Sequence, residues 1–161
     1  MKYKIKEIDV NNFVFNRTQL NNGTIVNLKY LEDTLEFQSP KMVMREIKKE
    51  NDNEYLILEL LGTQACKTFY LKVLEIEDYF NKKLNNNLTK SVFCENFVTL
   101  KIPFKGSSTP LVKVYKNDSL FNYYHLTADT QVLCLLSLDK IWINNFNEPS
   151  YHLNVKEIMV I

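Results

Sequence analysis

Apolar and polar positions alternate along most of the chain, and the places where the alternation breaks divide it into elements. Residues 26–37 read as two strands around a turn: Ile25, Val26, Leu28 and Tyr30 lead into Glu32-Asp33, and Leu35 and Phe37 follow. Residues 54–61 form a short apolar run bounded by Asn51-Asp52-Asn53 and Gly62, the pattern of a buried strand. After Gly62 the period changes. Phe69, Val73, Ile76, Phe80 and Leu84 recur at spacings of four, three, four and four, which is one face of a helix. Asp78 and Lys82 can pair on its polar side, and the Asn85-Asn86-Asn87 run stops it. Period two then returns. Residues 97–102 and 111–115 flank the turn chemistry of Pro103-Phe104-Lys105-Gly106-Ser107-Ser108. Residues 131–138, 140–143 and 151–161 read as three more strands, with turns near Asp139 and Asn144-Asn145.

Several strands, one helix and several more strands exclude the βαβα alternation of a doubly wound sheet. The pattern predicts a mainly β protein: an OB-fold-like small barrel of five or more strands, with one helix between strands over about residues 67–84. No internal repeat or linker interrupts it, so residues 1–161 are expected to form one such domain, with 1–23 as an N-terminal extension or extra strand. A composition of 45% apolar and 24% charged residues over 161 positions supplies one core. The longest apolar runs, such as residues 132–136, fall far short of the roughly 18 residues that span a bilayer. The opening MKYKIKEIDV has no continuous apolar stretch, so neither a membrane partner nor a secretory signal is expected.

Charge and chemistry narrow the function. Twenty Lys and Arg against nineteen Asp and Glu leave +1, so no overall basic excess draws the chain to nucleic acid. Arg17 and Arg45 are the only arginines, which disfavours bidentate reading of base edges in a duplex. Three cysteines, widely spaced and without histidine pairs, fit neither structural zinc nor a disulfide framework and suit a reducing compartment. Four N-x-[ST] sequons begin at Asn16, Asn22, Asn87 and Asn117, an outcome that nineteen asparagines produce by chance. With three glycines there is no phosphate cradle, and His125 and His152 stand apart with no nucleophile or metal motif around either. The acids lie on the helix or in turns, so no enzyme activity and no cofactor is expected.

The charges are unevenly spread. Residues 100–116 hold Lys101, Lys105, Lys113 and Lys116 and no acid, interleaved with Phe104 and Tyr115 and followed by Phe121, Tyr123 and Tyr124. Alternation puts Lys113 and Tyr115 on one face of a strand and Val112 and Val114 on the other. Lysines beside aromatic rings are the equipment of a single-strand binder, because every base has a π face and every linkage a charge. The competing reading is that the lysines guard a solvated strand and that Tyr115 and Phe104 plug a barrel end. Trp142 follows Lys140 at period two and suits core or platform equally.

The segment Leu35-Glu36-Phe37-Gln38-Ser39-Pro40-Lys41-Met42 resembles the opening strand of a family of single-stranded-DNA-binding proteins from large DNA viruses, similar to the bacteriophage T7-type protein. Tyr55-Leu56-Ile57-Leu58, the helix, the lysine-bearing strands around Lys101 and Lys113, and Ile141-Trp142-Ile143 resemble later family elements in the same order. The resemblance implies an OB-fold that coats single-stranded DNA during viral replication, recombination or repair, inside the host cell in cytoplasm or nucleus. Phosphates are then expected on Lys41, Arg45, Lys101, Lys105, Lys113 and Lys116, and bases on Phe104, Tyr115, Tyr124 and Trp142. Replication proteins and further copies of the chain are additional expected partners. The T7-type acidic tail that recruits partners has no counterpart in Lys156-Glu157-Ile158-Met159-Val160-Ile161, so recruitment by such a tail is not expected. The alternative is a non-enzymatic interaction module or virion or replication-complex subunit without DNA binding, its apolar last strand pairing with a second chain by edge addition.

Overall fold

The computed structural model describes residues 2–106 and 109–161. Ser107 and Ser108, which end the loop read after residue 102, lie outside the described residues. The strands before the helix are β1 (Lys2–Tyr3), β2 (Phe13–Leu20), β3 (Gly23–Tyr30), β4 (Leu35–Gln38), β5 (Met42–Glu50) and β6 (Asn53–Leu60); α1 is Gln64–Leu84. After it come β7 (Phe93–Cys94), β8 (Phe97–Ile102), β9 (Phe104–Lys105), β10 (Thr109–Pro110), β11 (Lys113–Lys116) and β12 (Ser119–Phe121). The last four are β13 (Gln131–Leu138), β14 (Lys140–Asn144), β15 (Pro149–Tyr151) and β16 (Asn154–Val160).

Five strands close a barrel in the order β5-β6-β8-β16-β13 and back to β5. β5, β6 and β8 are antiparallel neighbours, β8 meets β16 in parallel at Lys101 opposite Asn154, and β16 runs antiparallel to β13. In chain order this is first, second, third, fifth, fourth, the Greek-key barrel of the OB-fold that the alternation predicts. Alternate residues fill it: Met42, Leu56, Leu58, Leu100, Leu136 and Val155 are each 0% exposed. Of the two rings that the competing reading takes as a barrel plug, Phe104 is partly buried against the core. Tyr123, in a short 3-10 turn, is buried and its hydroxyl donates to the Glu54 carboxyl at 2.9 Å.

The helix covers one end of the barrel, with the Phe37 and Phe69 rings 6.5 Å apart. Its buried face carries Phe69, Val73, Ile76 and Phe80 as the spacing predicts, and Asp78 pairs with Lys82 at 3.0 Å. It starts at Gln64, three residues before the apolar stripe shows it, because Thr63 caps it by accepting from the Cys66 N–H at 3.2 Å. Asn85 ends it in the left-handed conformation. On the buried face Glu77 accepts from the Ser91 hydroxyl at 3.0 Å, from the Val92 N–H at 3.1 Å and from the Tyr151 hydroxyl. Burial first, then the Glu77 charge, holds the Tyr151 phenol well above its ordinary range.

Alternation does not show that some strands leave the barrel. β2, β3, β14 and β15 form a separate four-stranded sheet in the order β15-β14-β3-β2. One face lies on α1, with Phe80 5.3 Å from Phe13 and 5.9 Å from Tyr151 between ring centroids. The stretch read as one strand over residues 151–161 divides at His152-Leu153 between the two sheets. β5 escapes the reading because a bulge at Arg45 puts the inward residues at Met42, Met44 and Ile47, a period that is neither two nor 3.6. Edge addition through the last strand is not available either. β16 is flanked by β13 on one side and by β8 and β11 on the other. Cys66, Cys94 and Cys134 are free thiols, and burial pushes the Cys134 thiol up to about 12.

Candidate nucleic-acid interface

The outward residues of the barrel line up in rows across neighbouring strands. Tyr115, Met159 and Leu133 form one row on β11, β16 and β13, and Lys113, Glu157, Leu135 and Gln38 form the next, reaching β4. A further row holds Tyr55, Lys101, Asn154, Ser137 and Glu36. Between them β16 bulges: Leu135 faces Glu157 but Leu136 faces Val155, so Lys156 is an extra outward residue. Its ammonium binds the Glu36 carboxylate at 2.7 Å. From Met159 to Asn154 the face runs for about 17 Å.

At one end the face is a groove of about 640 Å³ with Tyr115, Met159 and Leu133 in its floor. The N-terminal segment from Lys2 to Lys6 and the start of α1, at Gln64, Ala65 and Thr68, also line it. Gln38, Ser39 and Pro40 also line it, so the Gln-Ser-Pro-Lys segment sits here for a structural reason. Pro40 lacks an N–H and interrupts the strand. Ser39 bridges the break: its N–H donates to the Cys134 carbonyl at 2.8 Å, and its Oγ accepts from the Cys134 N–H at 2.9 Å and donates to the Pro40 carbonyl at 2.9 Å.

At the other end is a cleft of about 500 Å³ lined by Lys101, Phe104, Lys140, Asn154 and Lys156, with Asp52 and Asp139 also on its wall. It opens over the second and third barrel strands, between the β5–β6 turn and the connection from the fourth strand to the fifth. OB-folds in general bind oligonucleotides at this position. Burial, then the Lys140 charge, lowers the affinity of half-buried Lys101 for its proton, and Asp139 opposes them. Neither Lys101 nor Lys140 has a carboxylate within ion-pair distance among the described residues. The His152 ring lies 5.7 Å from that of Tyr55. Burial first, and then the charges of Lys101, Lys90 and Lys140, push its imidazole down to about 4.

That depression has a sign. Between pH 6.5 and about 4 the unfolded chain binds a proton at His152 that the folded protein excludes, so stability falls as pH drops through this window. His152 is nonetheless exposed to solvent, which screens the effect and makes the decline shallow. An anion that neutralises the lysines relieves the repulsion, so its binding takes up a proton and tightens as pH falls from 6.5 toward 4. Anion affinity measured at pH 5 and pH 7 shows this gain in the wild type, and His152→Gln removes it.

The ten residues expected to bind nucleic acid do not form one cluster. Lys101 and Phe104 line the cleft and Lys105 is exposed next to Phe104. Tyr115 lines the groove, with exposed Lys113 in the adjacent row; Val112 and Val114 point inward, as alternation requires. The strands carrying Lys101 and Lys113 are not adjacent: both flank β16 on the same side, at Asn154 and Glu157, about 10 Å apart along it. The Lys116 ammonium lies 5.6 Å from the centre of the Phe121 ring, and Tyr124 is exposed beside Tyr123. Lys41 is exposed between β4 and β5, its carbonyl accepting from the Cys66 thiol at 3.4 Å. Arg45 is held by Glu59 at 3.2 and 3.1 Å and by Asp129, so two carboxylates already balance its charge. Trp142 lies on the four-stranded sheet. Lys2, Lys4 and Lys6 escape the sequence reading although their strict alternation is visible. Tyr55, Lys90, Lys140 and His152 escape it because they gather from separate elements with no local signal.

No family model matches the chain. An uncharacterised 25.9 kDa protein from the rpl12-rps7 intergenic region of Euglena longa is 27% identical over 113 residues, which is 70% of this chain and 53% of that protein. The chain therefore spans about half the length of the curated relative it matches. In structure it is similar to gp2.5, a single-stranded DNA binding protein encoded by bacteriophage T7, with a TM-score of 0.57 and 10% identity over 79% of this chain and 86% of that one. Shared architecture at so low an identity makes this chain an OB-fold protein.

Proposed function

We propose that this protein binds single-stranded DNA without strong sequence preference, as a non-enzymatic coat protein, along the outward barrel face from the Lys101 cleft to the Tyr115 groove. The observation that carries the reading is Lys101: half-buried, beside Lys140 and with no carboxylate at ion-pair distance among the described residues, it has Asp139 alone to oppose burial and the neighbouring charge, and a phosphate adds the counter-charge it is short of. Lys140, Lys105 and Lys113 supply further charges along the face. Phe104, Tyr115 and the Tyr55–His152 pair offer stacking surfaces, each contributing about 1–3 kcal/mol per base. Single strands are favoured over duplex because stacking needs unpaired bases and because Arg45, which could read a base edge with two bonds, is already engaged. The described residues hold no cluster of three or more His, Cys, Asp or Glu placed for a metal ion, and no helix among them is long and apolar enough to cross a membrane.

The resemblance of Gln38-Ser39-Pro40-Lys41 to the viral proteins, and the fold shared with gp2.5, support a role in replication, recombination or repair of a viral genome inside the host cell. Replication proteins are the partners such a role implies. Acetylation of lysines read by mass spectrometry tests the location. With oligo-dT bound, Lys101, Lys140 and Lys113 are protected while Lys67 and Lys83, exposed on the helix, react as in the free protein. Equal reactivity of all lysines with and without saturating oligo-dT contradicts the reading.

A further inference from the structure

We infer that the bound strand continues from the Lys101 cleft onto the outward face of the four-stranded sheet, where Trp142 is a second stacking platform; this rests on the reading just given. β14 alternates: Ile141 and Ile143 are buried in the core, while Lys140 and Trp142 point the other way. Lys140 thus belongs to two surfaces. It lines the barrel cleft, and it stands two residues, about 7 Å, from Trp142 on the sheet. In the ladder Trp142 lies opposite Ile25, and Lys140 opposite Asn27, which in turn lies opposite Asn16. Neither row contains an acid.

The indole is placed by a glycine. A Cβ on Gly23 would come within 2.7 Å of Trp142 Cζ2 and Cη2, so the ring rests directly on bare backbone. Gly23 is buried beneath it, whereas Trp142 is only partly buried and its indole N–H has no acceptor among the described residues. A ring fixed from below and open above, with a lysine on one side and amides beside it, has what a base and its phosphate need and repels neither. The occluded site is then longer than the barrel alone provides.

Trp142 is the only tryptophan of the chain, so its emission reports this place alone. Oligo-dT labelled with a long-wavelength dye is titrated with protein while dye anisotropy, indole emission and acrylamide quenching are followed together. The inference predicts that indole emission changes in step with anisotropy and that acrylamide access falls. Trp142→Leu raises the dissociation constant about 5- to 150-fold, while Trp142→Phe, which keeps a ring, costs less. Anisotropy that rises with indole emission and acrylamide access unchanged overturns the inference and leaves the barrel interface standing. No anisotropy change at all overturns both.

Discussion

Alanine at both Lys101 and Lys140 weakens binding of single-stranded DNA about a hundredfold, roughly tenfold for each charge-assisted hydrogen bond to phosphate that is removed. The slope of log affinity against log salt falls by about 1.4, because each phosphate contact on a single strand contributes about 0.7. These two lysines are singled out because they stand together, without carboxylate partners, where Lys101 is partly withdrawn from water. Lys82, paired with Asp78 at 3.0 Å, and Lys48, paired with Glu50 at 3.4 Å, carry the same formal charge and serve as controls. Alanine at those two leaves affinity and slope nearly unchanged. The fold survives the double change, since it removes like-charge repulsion and empties no core position. Anisotropy titrations at several salt concentrations measure the effect, and an unaltered slope refutes the assignment of both residues.

The largest effect on stability comes from Glu77→Leu. Glu77 is 7% exposed and receives hydrogen bonds from Ser91, Val92 and Tyr151, so one carboxyl ties the helix to the segment after it and to the four-stranded sheet. Leucine fills the space but leaves the Val92 N–H and the Tyr151 hydroxyl buried without acceptors, at about 1–3 kcal/mol each. The expected loss is about 3–5 kcal/mol, or about 10 °C in Tm for a chain of this size. Glu77→Gln keeps one acceptor oxygen and loses less. Denaturant unfolding of the two variants checks the order, and a leucine variant as stable as the wild type shows that the network adds nothing.

These two sites differ in how far they are legible in the sequence. The helix face from Phe69 to Leu84 and the strands at β6, β8 and β13 are legible because side chains repeat at the period of the element that buries them. Glu77 sits on that same face and reads as a solvated acid, because its donors at Ser91, Val92 and Tyr151 are distant in sequence. The bulges at Arg45 and Lys156 defeat period counting: each inserts one residue and shifts the phase. Alternation tells which side chains share a face, yet not which sheet the strand joins. Trp142 and Lys140 therefore read as more of the barrel when they stand on a second sheet. Of the interface, the run from Lys101 to Lys116 is visible as a charge pattern, but its division between a cleft and a groove depends on β16 passing beside both strands. The charges of Lys101, Lys90 and Lys140 act on His152 only after folding.

The most direct test is fluorescence anisotropy of a labelled oligo-dT, long enough at about 30 nucleotides to cover an OB-fold site, titrated with the full chain at two salt concentrations beside a duplex of equal length. Tight binding to the single strand, weaker binding to the duplex and a steep loss of affinity with salt are predicted. No binding at low salt, or equal affinity for both DNAs, contradicts single-strand recognition by this barrel face.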